Sequence, residues 1–187
     1  LNNSNINNAS APLTVSIHPQ AVPMVIPASL TLTADGGINL AYEFDISISP
    51  SVLFVDDHGG GGDGSDVPIQ SSFTAALRTT GVAYAVWNHI ANGTPPISIL
   101  NNYAIVVWGC EWAFPSLDQN DRDTLEAYLD GGGRLFLSGQ DIGWDMNAMP
   151  GSGDNEFTRS GFQSKIWYEK YLHARYVADD QSGTAAS

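Results

Sequence analysis

One stretch, Ser51–Gly62 (S-V-L-F-V-D-D-H-G-G-G-G), limits what this chain can fold into more than any other. Val52, Leu53, Phe54 and Val55 are apolar without interruption and rich in β-branched and aromatic types. That is the pattern of a strand covered on both faces, as in a parallel sheet. Pro50 bounds the run upstream, and it stops abruptly at Asp56, Asp57 and His58. Polar groups therefore stand at the strand's carboxyl end, the edge at which open α/β sheets hold ligands. Four glycines, then Asp63, Ser65 and Asp66, lead into a helix. This first strand and its acidic loop are the first place to look for a site.

Beyond Pro50 strands and helices alternate. Strand one is Val52–Asp56, and Asp66 caps a helix to Thr80 with Pro68 in its first turn and Gly81 past its end. Phe73, Ala76, Leu77 and Thr80 share one face of it. Strand two is Val82–Trp87, a short helical turn runs from Thr94 to Leu100, and strand three is Ala104–Trp108. A helix capped by Ser116 or Asp118 runs to Asp130, and strand four is Arg134–Ser138. A polar loop over Gly139–Ser160 precedes a last helix, Gly161–His173, with Phe162, Ile166, Trp167 and Tyr171 or Leu172 inward. Arg175–Ala178 reads as a fifth strand. The fold expected is α/β, a flavodoxin-like doubly wound parallel sheet in the order 2-1-3-4-5.

Upstream the rhythm differs. Residues 1–12 are an Asn-rich leader read as flexible, and residues 13–49 form a β-rich appendage or half sandwich before the α/β domain of residues 50–187. The runs L-T-V-S-I, S-L-T-L-T-A and I-N-L-A-Y-E-F-D-I-S-I-S alternate, which means strands with one wet face. Asp35-Gly36-Gly37 reads as the hairpin turn between the last two. Such a hairpin is marginal in water unless it packs on something.

Charge narrows the partners. Seven basic residues and a net charge of −13 argue against nucleic acid and against anionic membrane surfaces. No apolar run is long enough to span a bilayer. Cys110 is the single cysteine, so neither an intrachain disulfide nor paired-cysteine zinc is available. Asn2, Asn8 and Asn92 begin N-x-S/T sequons, which with the polar opening segment suggest an exported, extracellular or cell-surface glycoprotein.

Three segments, V-L-F-V-D-D, Y-A-I-V-V-W-G-C and Y-L-D-G-G-G-R-L-F-L-S-G-Q-D-I-G, together resemble the class I glutamine-amidotransferase-like superfamily, in particular its exported, non-catalytic members. The resemblance covers about residues 51–178. It implies that Gly139-Gln140-Asp141-Ile142-Gly143 takes the place of a G-x-C-x-G nucleophile elbow, with Asp141 where those enzymes carry cysteine. An aspartate forms no thioester, so the resemblance implies lost glutaminase chemistry. It also implies strands beyond Ser187, supplied by more of the chain or by another one.

Several constellations carry chemistry of their own. Asp56, Asp57, Asp63, Asp66, Glu111, Asp141 and Asp145 all fall near the carboxyl edge. Two carboxylates ~4 Å apart repel by about 4 kcal/mol at an effective dielectric of 20, so a tight group shares a proton, holds a cation or splays into water. Oxygen-rich glycine loops favour calcium, and Asp56, Asp57, Asp63, Asp66, Glu111 and Asp141 are its candidate ligands. The competing reading makes them turn formers and helix caps. Cys110 with His58 is a candidate nucleophile–base pair, set against a buried inert thiol. Asp141 on its bend is a further candidate. Trp112 and Trp144 fall in edge loops where they could stack a ligand, or simply pack. His18 and His89 carry no signal. Glycines 59–62 lack the Lys-Ser/Thr that a phosphate cradle needs.

The function these readings favour is a non-catalytic extracellular module for binding or assembly, without a cofactor unless calcium. Its partners would be other copies of itself or the rest of a larger secreted protein. The alternative is a metal-assisted or Cys/His hydrolase acting at the carboxyl edge of the sheet.

Overall fold

The computed structural model describes residues 14–16, 23–58, 69–111, 113–147 and 156–177. Strands β1 (Met24–Ala34) and β2 (Ile38–Ile48) open the described chain as an antiparallel hairpin. The turn at Gly36 and Gly37 requires φ of 88° and 81°, values that glycine reaches without a Cβ penalty. Among the described residues the hairpin is a sheet to itself, so both strands are edge strands, where Pro27, opposite Asp45, is tolerated. Ile26, Leu32, Ile38, Leu40, Tyr42 and Phe44 remain exposed along it, and burial begins only where β2 nears the next strand, at Ile48.

The α/β part follows as β3 (Val52–Asp56), α1 (Gln70–Thr79), β4 (Tyr84–Asn88), α2 (His89–Asn92), α3 (Ile97–Leu100), β5 (Ile105–Glu111), α4 (Gln119–Asp130), β6 (Arg134–Gly139), α5 (Ile142–Asn147), α6 (Glu156–Ser160) and α7 (Phe162–Tyr171). The four strands β3 to β6 make one parallel sheet in the order β4-β3-β5-β6. Residues 173–177 form no strand (Ala178 lies outside the described residues), so the described residues build a four-stranded parallel sheet and not the five-stranded flavodoxin-like one. The architecture is α/β with two separate sheets, one of two antiparallel strands and one of four parallel strands. The segment Arg175–Val177 lacks the long apolar run that made β3 and β5 unambiguous, and Val177 stays exposed.

Strand alternation divides the sheet into two faces. Leu53, Val55, Val106 and Trp108 point to one side and pack with Leu100 of α3, Leu125 and Tyr128 of α4 and Trp167 of α7, forming the main core. Phe54 points to the other, where Phe73 of α1 stacks on it with ring centroids 4.9 Å apart. That second face is thinly covered. Ala76 and Thr80 are exposed rather than inward, and Phe136 and Val86 of the sheet remain exposed as well. In α7 only Trp167 of the expected inner set is buried, while Phe162 and Ile166 face outward. Among the described residues no helix is long and apolar enough to cross a membrane.

Two glycines read as elbow residues have a simpler reason to be small. A Cβ on Gly139 would stand 2.3 Å from Cys110 Sγ, and one on Gly143 would stand 2.9 Å from the Tyr176 ring. Between them Asp141 adopts φ 60° where β6 gives way to α5.

Candidate metal centre

The ladder of β3 runs one residue past its end, since Asp57 N–H donates to Gly109 carbonyl at 2.9 Å. Alternation then sends Asp56 to the α1 face and Asp57 to the core face. Asp57 is 5 % exposed and receives the Trp108 indole N–H on Oδ2 at 3.0 Å. Directly after β4, Asn88 caps α2 by accepting Ala91 N–H, and His89 is the first helical residue. Because β4 lies beside β3, His89 arrives next to Asp57. Asp121 comes from the first turn of α4, where Asp118 and Asp121 cap each other reciprocally: Asp118 Oδ1 accepts Asp121 N–H at 2.9 Å, and Asp121 Oδ2 accepts Asp118 N–H at 3.0 Å.

The result is a row of three side chains, two buried carboxylates on either side of a half-buried imidazole. His89 Nδ1 lies 2.9 Å from Asp57 Oδ1, and His89 Nε2 lies 2.9 Å from Asp121 Oδ1. Thr94 Oγ1 adds a donor to that same Asp121 oxygen at 2.6 Å. The Trp108 ring, 5.5 Å from the imidazole, walls the site. Burial disfavours the charged imidazole, but hydrogen bonds to Asp121 and Asp57 and their negative charges outweigh it and raise His89 to about 10. Burial holds Asp57 above the usual carboxylate range despite its bonds from His89 and Trp108. Burial pushes Asp121 upward too, but His89, Thr94 and the Asp118 amide prevail and bring it below that range.

Among the described residues, Asp57, His89 and Asp121 form the one group of three acidic, histidine or cysteine side chains whose ligand atoms all lie within 4.8 Å of one another. Such a buried Asp/His/Asp cluster is capable of coordinating a divalent metal ion, and mixed nitrogen and oxygen donors are the ordinary ligands of zinc and its neighbours. The expectation of a non-catalytic module, and with it the leaning away from an enzyme, is corrected by this cluster, a ligand set positioned to chelate a metal at the sheet edge.

The other sequence candidates fall elsewhere. Of the proposed calcium ligands only Asp57 joins the cluster; Asp56, Glu111 and Asp141 do not, and Asp63 and Asp66 lie outside the described residues. Cys110 and His58 make no pair. His58 Nδ1 is bonded to Asp56 Oδ1 at 2.7 Å, while Cys110 is fully buried and its thiol faces Ser138 carbonyl at 3.5 Å. Burial, and then the Asp57 charge, push that thiol far above its ordinary range, the opposite of what a nucleophile needs. Trp144 is half-buried and packs edge-on against Phe114 at 6.0 Å; Trp112 lies outside the described residues. Asn2 and Asn8 do so as well, and Asn92 is exposed at the end of α2, its side-chain amide donating to Asn88 carbonyl at 2.9 Å.

Sequence reasoning missed His89 and Asp121. Both had a signal. His89 follows strand two as Asp56 and Asp57 follow strand one, and D-x-x-D at 118–121 is a capping-box spacing. Compared with protein-family models, curated proteins and solved structures, the chain gives no significant match to any.

Proposed function

We propose that the protein is a metal-assisted hydrolase whose ion is held by Asp57, His89 and Asp121 at the carboxyl edge of the parallel sheet. The observation that carries this reading is the convergence of two buried carboxylates and a half-buried imidazole from the end of β3, α2 and α4. Two carboxylates and one neutral imidazole carry a charge of −2, which balances a divalent ion, and three protein ligands leave a position open, as in catalytic rather than structural zinc sites. An ion there would supply Lewis-acid polarisation and an activated water. The imidazole favours zinc, manganese or iron over calcium, which takes oxygen ligands.

Metal analysis after dialysis against zinc, manganese and calcium separately tests the proposal. One equivalent of a transition ion in the wild type, none in His89→Ala, and chelator-sensitive turnover of ester, phosphoester or amide chromogenic substrates are expected. Equal metal in both proteins refutes it. A second reading has its own observation, since both imidazole nitrogens are already bonded at 2.9 Å. A protonated His89 would then clamp β3 to α4 without metal, and the wild type would retain no ion after dialysis.

A further inference from the structure

The α1 face of the sheet edge carries polar groups that the metal centre does not use. Among the described residues, two buried carboxylate oxygens, Asp56 Oδ2 and Glu111 Oε2, have no hydrogen-bond partner. Asp56 is 0 % exposed, and its other oxygen is engaged by His58. Buried acceptors are nearly always satisfied in native proteins, so two orphans at one edge point to an absent donor. Glu111 is also strained. It sits past the bulge at the end of β5 with φ 36°, a left-handed conformation that a glutamate adopts at a cost, and its carbonyl is pinned by Gln140 N–H at 2.7 Å.

Glu111 lines a cavity of about 240 Å³ together with Ile69, Phe73, Ser138 and Gln140. Phe73 is the ring stacked on Phe54, and Phe54 shares its side of β3 with Asp56. The cavity and both orphan oxygens therefore lie on one face, where β3 meets β5 and the chain reverses its direction of travel across the sheet.

The donor set decides what fits. Asp56, His58 and Glu111 do not bring three ligand atoms within 4.8 Å of one another, so a bare metal ion is not matched. An anion would meet two carboxylates. An aliphatic wall, an aromatic ring and a desolvated carboxylate instead suit an alkyl group ending in an N–H-bearing cation. A net charge of −13 draws such a ligand in, and the volume, below the roughly 300–1,000 Å³ of drug-sized pockets, keeps it small. We infer that this cavity binds a small organic cation of the primary alkylammonium class, its N–H groups on Glu111 and its alkyl chain against Ile69 and Phe73.

Titration calorimetry of the full chain with n-butylammonium chloride tests the inference, with n-butanol and potassium chloride as controls. Saturable one-to-one binding of butylammonium, with none of butanol or potassium, is expected. Glu111→Gln, which keeps the shape and removes the charge, should weaken it about tenfold or more, and His89→Gln should leave it unchanged. Transferred NOEs from butylammonium methylenes to the Phe73 ring give a readout on the wild-type protein alone. Equal affinity for butanol, an unchanged Glu111→Gln protein, or no NOE to Phe73 overturns the assignment.

Discussion

The most exposed consequence of the Asp57–His89–Asp121 row is a pH dependence of stability in the metal-free protein. In the folded state His89 keeps its proton up to about pH 10, whereas in the unfolded chain it loses it near 6.5. Between those values the native state binds more protons than the unfolded state, so stability falls as pH rises. The contribution is complete below pH 6.5 and gone above about 10. At about 1.4 kcal/mol per unit the shift corresponds to roughly 5 kcal/mol, an upper limit. The imidazole is 17 % exposed, and solvent screening at its rim brings the expected loss to about 2–3 kcal/mol. Urea unfolding in the presence of chelator, from pH 6 to 10, measures it. Cys110 and Tyr128, both held protonated by burial, also destabilise the native state at the alkaline end. They do so equally in His89→Gln, so the difference between the two proteins isolates the imidazolium. If wild type and His89→Gln lose stability in parallel between pH 6.5 and 10, the charged bridge does not exist.

Other outcomes follow from the same geometry. Because an ion must displace the His89 proton, apparent zinc affinity should rise by up to about tenfold per pH unit toward pH 10, read by competition with a chelating dye. Arg122→Met removes the 2.7 Å ion-pair partner of Glu156, which is 3 % exposed and would keep only the Ser160 hydroxyl and Arg159 at 4.0 Å; a loss of up to about 3–5 kcal/mol in urea unfolding is expected. Gly139→Ala drives a methyl group onto Cys110 Sγ and should cost about 1–3 kcal/mol. Adding Cys110→Ala to that variant should recover part of the loss, which thermal melts of the single and double variants will show.

How much of this was legible beforehand depends on which force fixed each element. Strand β3 was readable to the residue, Val52–Asp56, because a strand buried on both faces admits almost nothing but apolar side chains and ends where they end. Helix α4 was readable from its cap, since Asp118 and the glycines at 131–133 frame it. The inner face of α7 was not, because an apolar side chain such as Phe162 carries no mark of whether a neighbour will cover it, and here it is 70 % exposed. The site was half legible. Asp57 announced itself at the end of an apolar run, but His89 gained its meaning only from the adjacency of β4 to β3, and Asp121 went unremarked inside a helix whose cap was read as Ser116 or Asp118. Convergence of three elements is a property of topology, and a linear pattern does not display it.

Asp56 and Asp57 are consecutive, yet one serves the thinly covered side of the sheet and the other the core side. A strand that slips by one position exchanges every side chain between its two sides. Inserting or deleting one residue within Val52–Val55 would therefore exchange the two carboxylates, taking Asp57 away from His89 and Trp108 and carrying Asp56, with its near neighbour His58, to the core side. The length of this strand is thus held by two neighbourhoods at once, and neither can drift without dragging the other.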